Sequence, residues 1–154
     1  GRPATILSRI LEEGYGEGAW HGPDLESAVA DVTPEDAFRR PAPARHNVAE
    51  IALHHAWYVR SVAERLTGTP QSPFPLEGED WFALDGGDGL SWEEVKAELA
   101  RRQQELVRTV ATLNGRAGGA EGDFEAQLDL VLGITCHAVY HAGQIQLVKR
   151  LIEG

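Results

Sequence analysis

Sulfur and positive charge are scarce in this chain, and each shortage removes a class of function. One cysteine, Cys136, stands among 154 residues, so no internal disulfide can form and a cytoplasmic setting is expected. Lys and Arg number 14 against 24 Asp and Glu, for a net charge of −10. Phosphate contacts need clustered basic side chains, so nucleic acid is not expected as the main partner, and the acidity reads as a solubility feature. No apolar run approaches about 18 residues, so no membrane span is expected. The opening "GRPATILSRILEEGYGEG" lacks the basic-then-apolar order of a signal peptide. No stretch alternates with period two, so strands are not expected.

What is present suits one globular domain over 1–154. The chain is 42% hydrophobic and 25% charged, an ordinary balance at a length that supports a core. Three long segments carry helical period. The first, 47–67, opens with Asn47 and Glu50 in a capping-box arrangement and stops at Gly68 and Pro70. The second, 91–113, opens with Ser91 and Glu94 in the same arrangement, and the loop "NGRAGGAEG" ends it. The third, 123–152, places Leu128, Val131, Ile134, Ala138, His141, Ile145, Val148 and Ile152 three or four apart. Its length corresponds to about 45 Å at 1.5 Å per residue. A shorter amphipathic piece covers 4–13. "PDLESAVADV" and "TPEDAFRR" supply further turns, the latter with Thr33 as cap and Pro34 at the first helical position. The whole reads as an all-α domain with four main helices. The connection between the second and third of them, 68–90, is long enough to be unusual; Phe74, Trp81 and Phe82 suit it to lie pinned on the bundle.

The six histidines fall in three places: His21; His46, His54 and His55; His137 and His141. His137 and His141 are four apart, about 40° around one helix, and His141 lies on the apolar face between Ile134 and Ile145. Two buried imidazoles need partners for their nitrogens. A second helix offers His54 or His55 in its own apolar surroundings. Three imidazoles from two helices, with open positions for water, match a catalytic metal site, and nitrogen ligands suit Zn²⁺, Ni²⁺ or Fe²⁺. Periodicity does not choose between His54 and His55: His55 lies on the Val48–Ile51–Val59–Val62 stripe, His54 at its edge with Ile51 and Tyr58. Gln144, three residues after His141, is placed to orient a ligand or a bound water. Gly143 could admit a closely packed helix. Cys136, about 100° from His137, is expected to be a small core residue outside the site.

Three segments together, "AWHGPDLESAVADVT", "HNVAEIALHHAWYVRSVAERL" and "HAVYHAGQIQLVKRL", resemble the DinB/YfiT-like family of metal-dependent enzymes in order and spacing, over nearly the whole chain. The most specific part is His-x-x-x-His-x-Gly-Gln-Ile. The resemblance implies a four-helix bundle binding a divalent ion through three histidines, one from the second long helix and two from the last. In the family a run x-x-E-[LI]-x-x-H ends on the ligand. "VAEIALH" matches it, so the implied ligands are His54, His137 and His141. His55 then occupies a position that the family usually fills with an aliphatic residue. Trp20, His21, Tyr58 and Gln144 are the residues expected around the site. The resemblance further implies a homodimer and an enzyme using a low-molecular-weight thiol for S-transfer, with metal-dependent hydrolysis or non-catalytic metal or ligand binding as alternatives. No acid or base is assigned.

Overall fold

A computed structural model describes residues 2–113 and 123–153; the loop expected at 114–122 lies outside them. Among the described residues all regular structure is helical. The helices are α1 (Arg2–Glu12), α2 (Leu25–Ala30), α3 (Pro34–Phe38), α4 (Val48–Thr67), α5 (Trp92–Ala111) and α6 (Phe124–Glu153). The four longest pack on one another: α4 lies against α5 and α6, and α1 closes the bundle against α5 and α6. The short α2 covers α6, and α3 covers α4 and α5.

Local chemistry sets the boundaries. Both capping boxes form: Asn47 Oδ1 accepts from the Glu50 N–H while Glu50 accepts from the Asn47 N–H, and Ser91 and Glu94 do the same. Each such cap satisfies two orphan donors at a helix start. Thr33 caps α3, with Pro34 in its first turn. Gly68 ends α4 at φ 71°, its N–H donating to the Glu64 carbonyl; this left-handed backbone is cheap only for glycine. α5 stops at Ala111, two residues before its expected end, where the Thr112 N–H turns back onto Thr109 and Val110.

The connection from α4 to α5 is held down by buried polar groups. Glu50 is 3% exposed and forms a two-pronged pair with Arg40 while accepting the Leu84 N–H. Arg102 is fully buried and binds Glu98, Ser72 and the Pro73 carbonyl. Arg60 donates to the Ser72 carbonyl. Phe82 and Leu84 are buried beneath these contacts.

Two apolar cores result. One joins α2, α3, the first half of α4 up to Ala56, and α6 from Ala138 to Ile152. The other joins Leu7 and Leu11 of α1, Val59 to Leu66 of α4, Leu106 and Val110 of α5, and Val131 and Ile134 of α6. Residues 54–55 of α4 lie just before Ala56, the last α4 residue of the first core, and residue 137 of α6 lies between Ile134 of the second core and Ala138 of the first. Close helix approach is made by Gly14 rather than by Gly143. A Cβ at Gly14 would lie 2.8 Å from the Ala138 Cβ, whereas one at Gly143 would meet nothing within 4 Å, since Gly143 faces outward.

Candidate metal centre

The two-core arrangement brings one imidazole of α4 and two of α6 to a common point. One ring nitrogen from each of His54, His137 and His141 lies within 4.8 Å of the others. His54 and His141 are 5% and 4% exposed, and His137 is half-buried. The Nε2 atoms of His137 and His141 stand 3.1 Å apart. Two nitrogens at about 2.0–2.1 Å from one Zn²⁺ at a tetrahedral angle would be about 3.3 Å apart, so the spacing suits one shared ion.

The other edge of each ring is occupied. His54 Nδ1 lies 2.8 Å from the Asp80 carbonyl oxygen and 3.2 Å from the Asp80 carboxylate. A carbonyl only accepts, so His54 carries its proton on Nδ1. His141 Nδ1 lies 2.6 Å from Gln144 Oε1 and by the same rule donates. Both rings therefore offer a lone pair at Nε2. His137 Nδ1 lies 2.7 Å from His55 Nδ1, a contact in which either ring could donate. His55 is fully buried, and its Nε2 has no hydrogen-bond partner among the described residues.

Electrostatics keep the cluster neutral. Burial, with the neighbouring His141 and His54, pushes His137 down to about 3. Burial lowers His54 and His141 from 6.5, against opposing hydrogen bonds from Asp80 and Gln144. Burial and the three neighbouring imidazoles push His55 well below that value. Neutral imidazoles are the ligand form of histidine, so the donor set fits a borderline-soft divalent ion.

Asp80 is the residue that sequence reasoning missed. Its φ is 70°, a left-handed backbone that costs a non-glycine residue about 1–2 kcal/mol. That conformation accompanies a carbonyl and a carboxylate that both face His54. The Asp80 carboxylate also accepts from the Tyr58 hydroxyl, which raises the Tyr58 pKa above 10. The next residue, Trp81, is sandwiched: its ring stacks on His54 at 3.8 Å and 5° and on His46 at 3.7 Å and 2°.

The other expected residues fall in two groups. Tyr58 is with the cluster, its ring 4.9 Å from His137 and 5.1 Å from His54, and Gln144 holds His141 as described. Trp20 and His21 lie on the α1–α2 loop, where Glu13 takes both of their backbone N–H groups. The Nε2–H of His21 donates to the Glu13 carbonyl. Trp20 is 89% exposed, and neither ring stacks on the three histidines. Cys136 was expected in the core but is exposed. The buried arc of α6 runs through Ile134, Ala138, His141 and Ile145, and Cys136 lies about 140° from His141 on the opposite side.

Beside the cluster, a cleft of about 540 Å³ opens between the segment joining α3 to α4, the C-terminal half of α6, Ile51 and Trp81. Its walls include Arg45, His46, Ile51, Trp81, Gln144 and Leu147. No helix of the described residues is long and apolar enough to cross a membrane.

No curated protein and no solved structure matches the chain. The family model of the DinB superfamily matches residues 19–145, which include all three histidines, the Asp80–Trp81 turn and Gln144. On that match the chain belongs to the DinB superfamily.

Proposed function

We propose that this chain is a cytoplasmic metal-dependent enzyme whose divalent ion is held by the Nε2 atoms of His54, His137 and His141, and that it transfers the sulfur of a low-molecular-weight thiol. The observation that carries the reading is the convergence of three neutral imidazoles, His54 and His141 buried and His137 half-buried, two of which have Nδ1 committed to an acceptor. A divalent ion there, Zn²⁺, Ni²⁺ or Fe²⁺, would supply Lewis acidity and a lowered pKa for a coordinated thiol or water. Three protein ligands leave room for such a group.

The chain's own residues supply the rest. Asp80 and Gln144 fix the His54 and His141 rings. The Trp81 stack restrains His54 and separates it from solvent on the side of His46. The cleft offers an apolar wall for the acceptor molecule. An anionic thiol would call for a cation near the ion, and Arg45, Arg60 and Lys149 are the basic residues to weigh. Arg60 is committed to Glu64 and the Ser72 carbonyl, and Lys149 to Asp31 and the Ala28 carbonyl. Arg45 lines the cleft and enters no ion pair among the described residues, which favours it.

The partners in this reading are a small-molecule thiol and a second copy of the chain. Leu132, Tyr140, Leu147 and Leu151 are exposed along the outer side of α6 and would be covered in a homodimer. Light scattering checks this through a mass twice that of the chain.

The test of the reaction is calorimetric binding of acidic and neutral low-molecular-weight thiols to the zinc-loaded protein, each beside its hydroxyl analogue. Consumption of the thiol with an electrophilic acceptor is measured in parallel. Thiol binding that the hydroxyl analogue does not reproduce, with thiol-dependent turnover, is expected. Turnover of ester or amide substrates without any thiol would favour the hydrolase instead.

A further inference from the structure

The His55–His137 hydrogen bond has two possible directions, and the proposed centre allows one. An ion at the three Nε2 atoms needs the lone pair of His137 Nε2. The proton of neutral His137 must then sit on Nδ1. At 2.7 Å from that nitrogen stands His55 Nδ1. His55 Nδ1 must therefore accept, and the single proton of His55 is on its Nε2. That atom is buried and has no hydrogen-bond partner among the described residues. An aliphatic residue at 55 would only shift the deficit, leaving the His137 Nδ1–H without an acceptor. The imidazole keeps that N–H directed at a fixed point and moves the unpaired group one ring further from the ion.

We propose that His55 is a positioning residue of the metal centre: its Nδ1 accepts the Nδ1–H of His137 and so holds His137 Nε2 in the ligating tautomer and orientation. The inference rests on the three-histidine reading and goes beyond it. It gives a fourth histidine, which does not touch the ion, a role that outer hydrogen bonds play at metal-bound histidines. It also explains why two adjacent histidines of α4 are both buried: one faces the ion and the other faces a ligand.

Two measurements test it. In the zinc-loaded native protein, long-range ¹H–¹⁵N spectra should show His137 protonated on Nδ1, with coupling across the hydrogen bond to an unprotonated His55 Nδ1. In competition titrations, His55→Leu should weaken Zn²⁺ binding by about 10–100-fold. His55→Asn, whose amide oxygen stands as far from Cβ as Nδ1 does, should recover most of that loss. A protonated His55 Nδ1 in the zinc-loaded protein would overturn the proposal. So would native affinity in His55→Leu, or an Asn variant no better than Leu, which would make the loss one of packing. A native protein that takes up no Zn²⁺, Ni²⁺ or Fe²⁺ would instead remove the metal centre itself. The spectra need no variant, so a poorly folded His55→Leu would not leave the question open.

Discussion

Asp80 reaches back across 26 residues to place its carbonyl oxygen 2.8 Å from His54 Nδ1, and it does so from a left-handed backbone. A strained loop residue is thereby tied to one of the three imidazoles, as expected where local strain is retained for function.

The Asp80 and Gln144 contacts are unequal in kind, which separates their variants. Asp80→Gly removes the carboxylate and relieves the positive φ but keeps the carbonyl. Gln144→Leu removes the acceptor that holds the His141 ring. Gln144→Leu is expected to weaken Zn²⁺ binding by about 10–100-fold, and Asp80→Gly by clearly less, with folding stability unchanged or raised. Competition titration and urea unfolding read the two effects.

Two glycines should respond oppositely to the same methyl group. Gly14→Ala forces a Cβ to within 2.8 Å of Ala138 and should cost about 1–3 kcal/mol by overpacking. Gly143→Ala adds a Cβ in open space inside a helix and should stabilise by up to about 1 kcal/mol. Denaturant midpoints of both variants check the pair.

These contrasts show where the sequence was informative. The caps of α3, α4 and α5 depend on residues three apart in the chain, and they were legible. So was the inward face of α6, because its apolar residues step by three and four. His54 and His55 could not be separated by period, since both are buried in a helix covered on several sides. What separates them in the structure is the direction of their nitrogens: His54 converges with His137 and His141, whereas His55 Nδ1 meets His137 Nδ1. Asp80 was hidden because it acts partly through its backbone carbonyl, for which side-chain type gives no signal. The nearest hint was the aromatic content of the long connection. Cys136 was misplaced because small size suggested burial, although its angle on α6 places it outside.

Arg102 carries a prediction about stability alone. It is fully buried against Glu98, Ser72 and Pro73. Arg102→Ala leaves the Glu98 carboxylate, 7% exposed, with the more exposed Arg101 as its remaining ion-pair partner. A loss of about 1–3 kcal/mol is expected, read by urea unfolding.

The histidine cluster makes the metal-free protein sensitive to acid. The ordinary imidazole value is 6.5, and His137 lies near 3 in the folded chain, with His54, His55 and His141 displaced the same way. Between those limits the unfolded chain binds protons that the folded chain does not. Stability is therefore full above about pH 6.5 and falls as pH drops toward about 3. Urea midpoints measured with a chelator should decline through that window, and a flat profile would contradict the buried neutral cluster.

The most direct test of the central claim is metal content, by elemental analysis of untagged native protein and of His54→Ala, His55→Ala and His137→Ala after equilibration with excess Zn²⁺. The account predicts one ion per chain in the native protein, loss of the ion in His54→Ala and His137→Ala, and retention at saturating metal in His55→Ala. A native protein without metal, or an ion retained in His54→Ala and lost in His55→Ala, would contradict it.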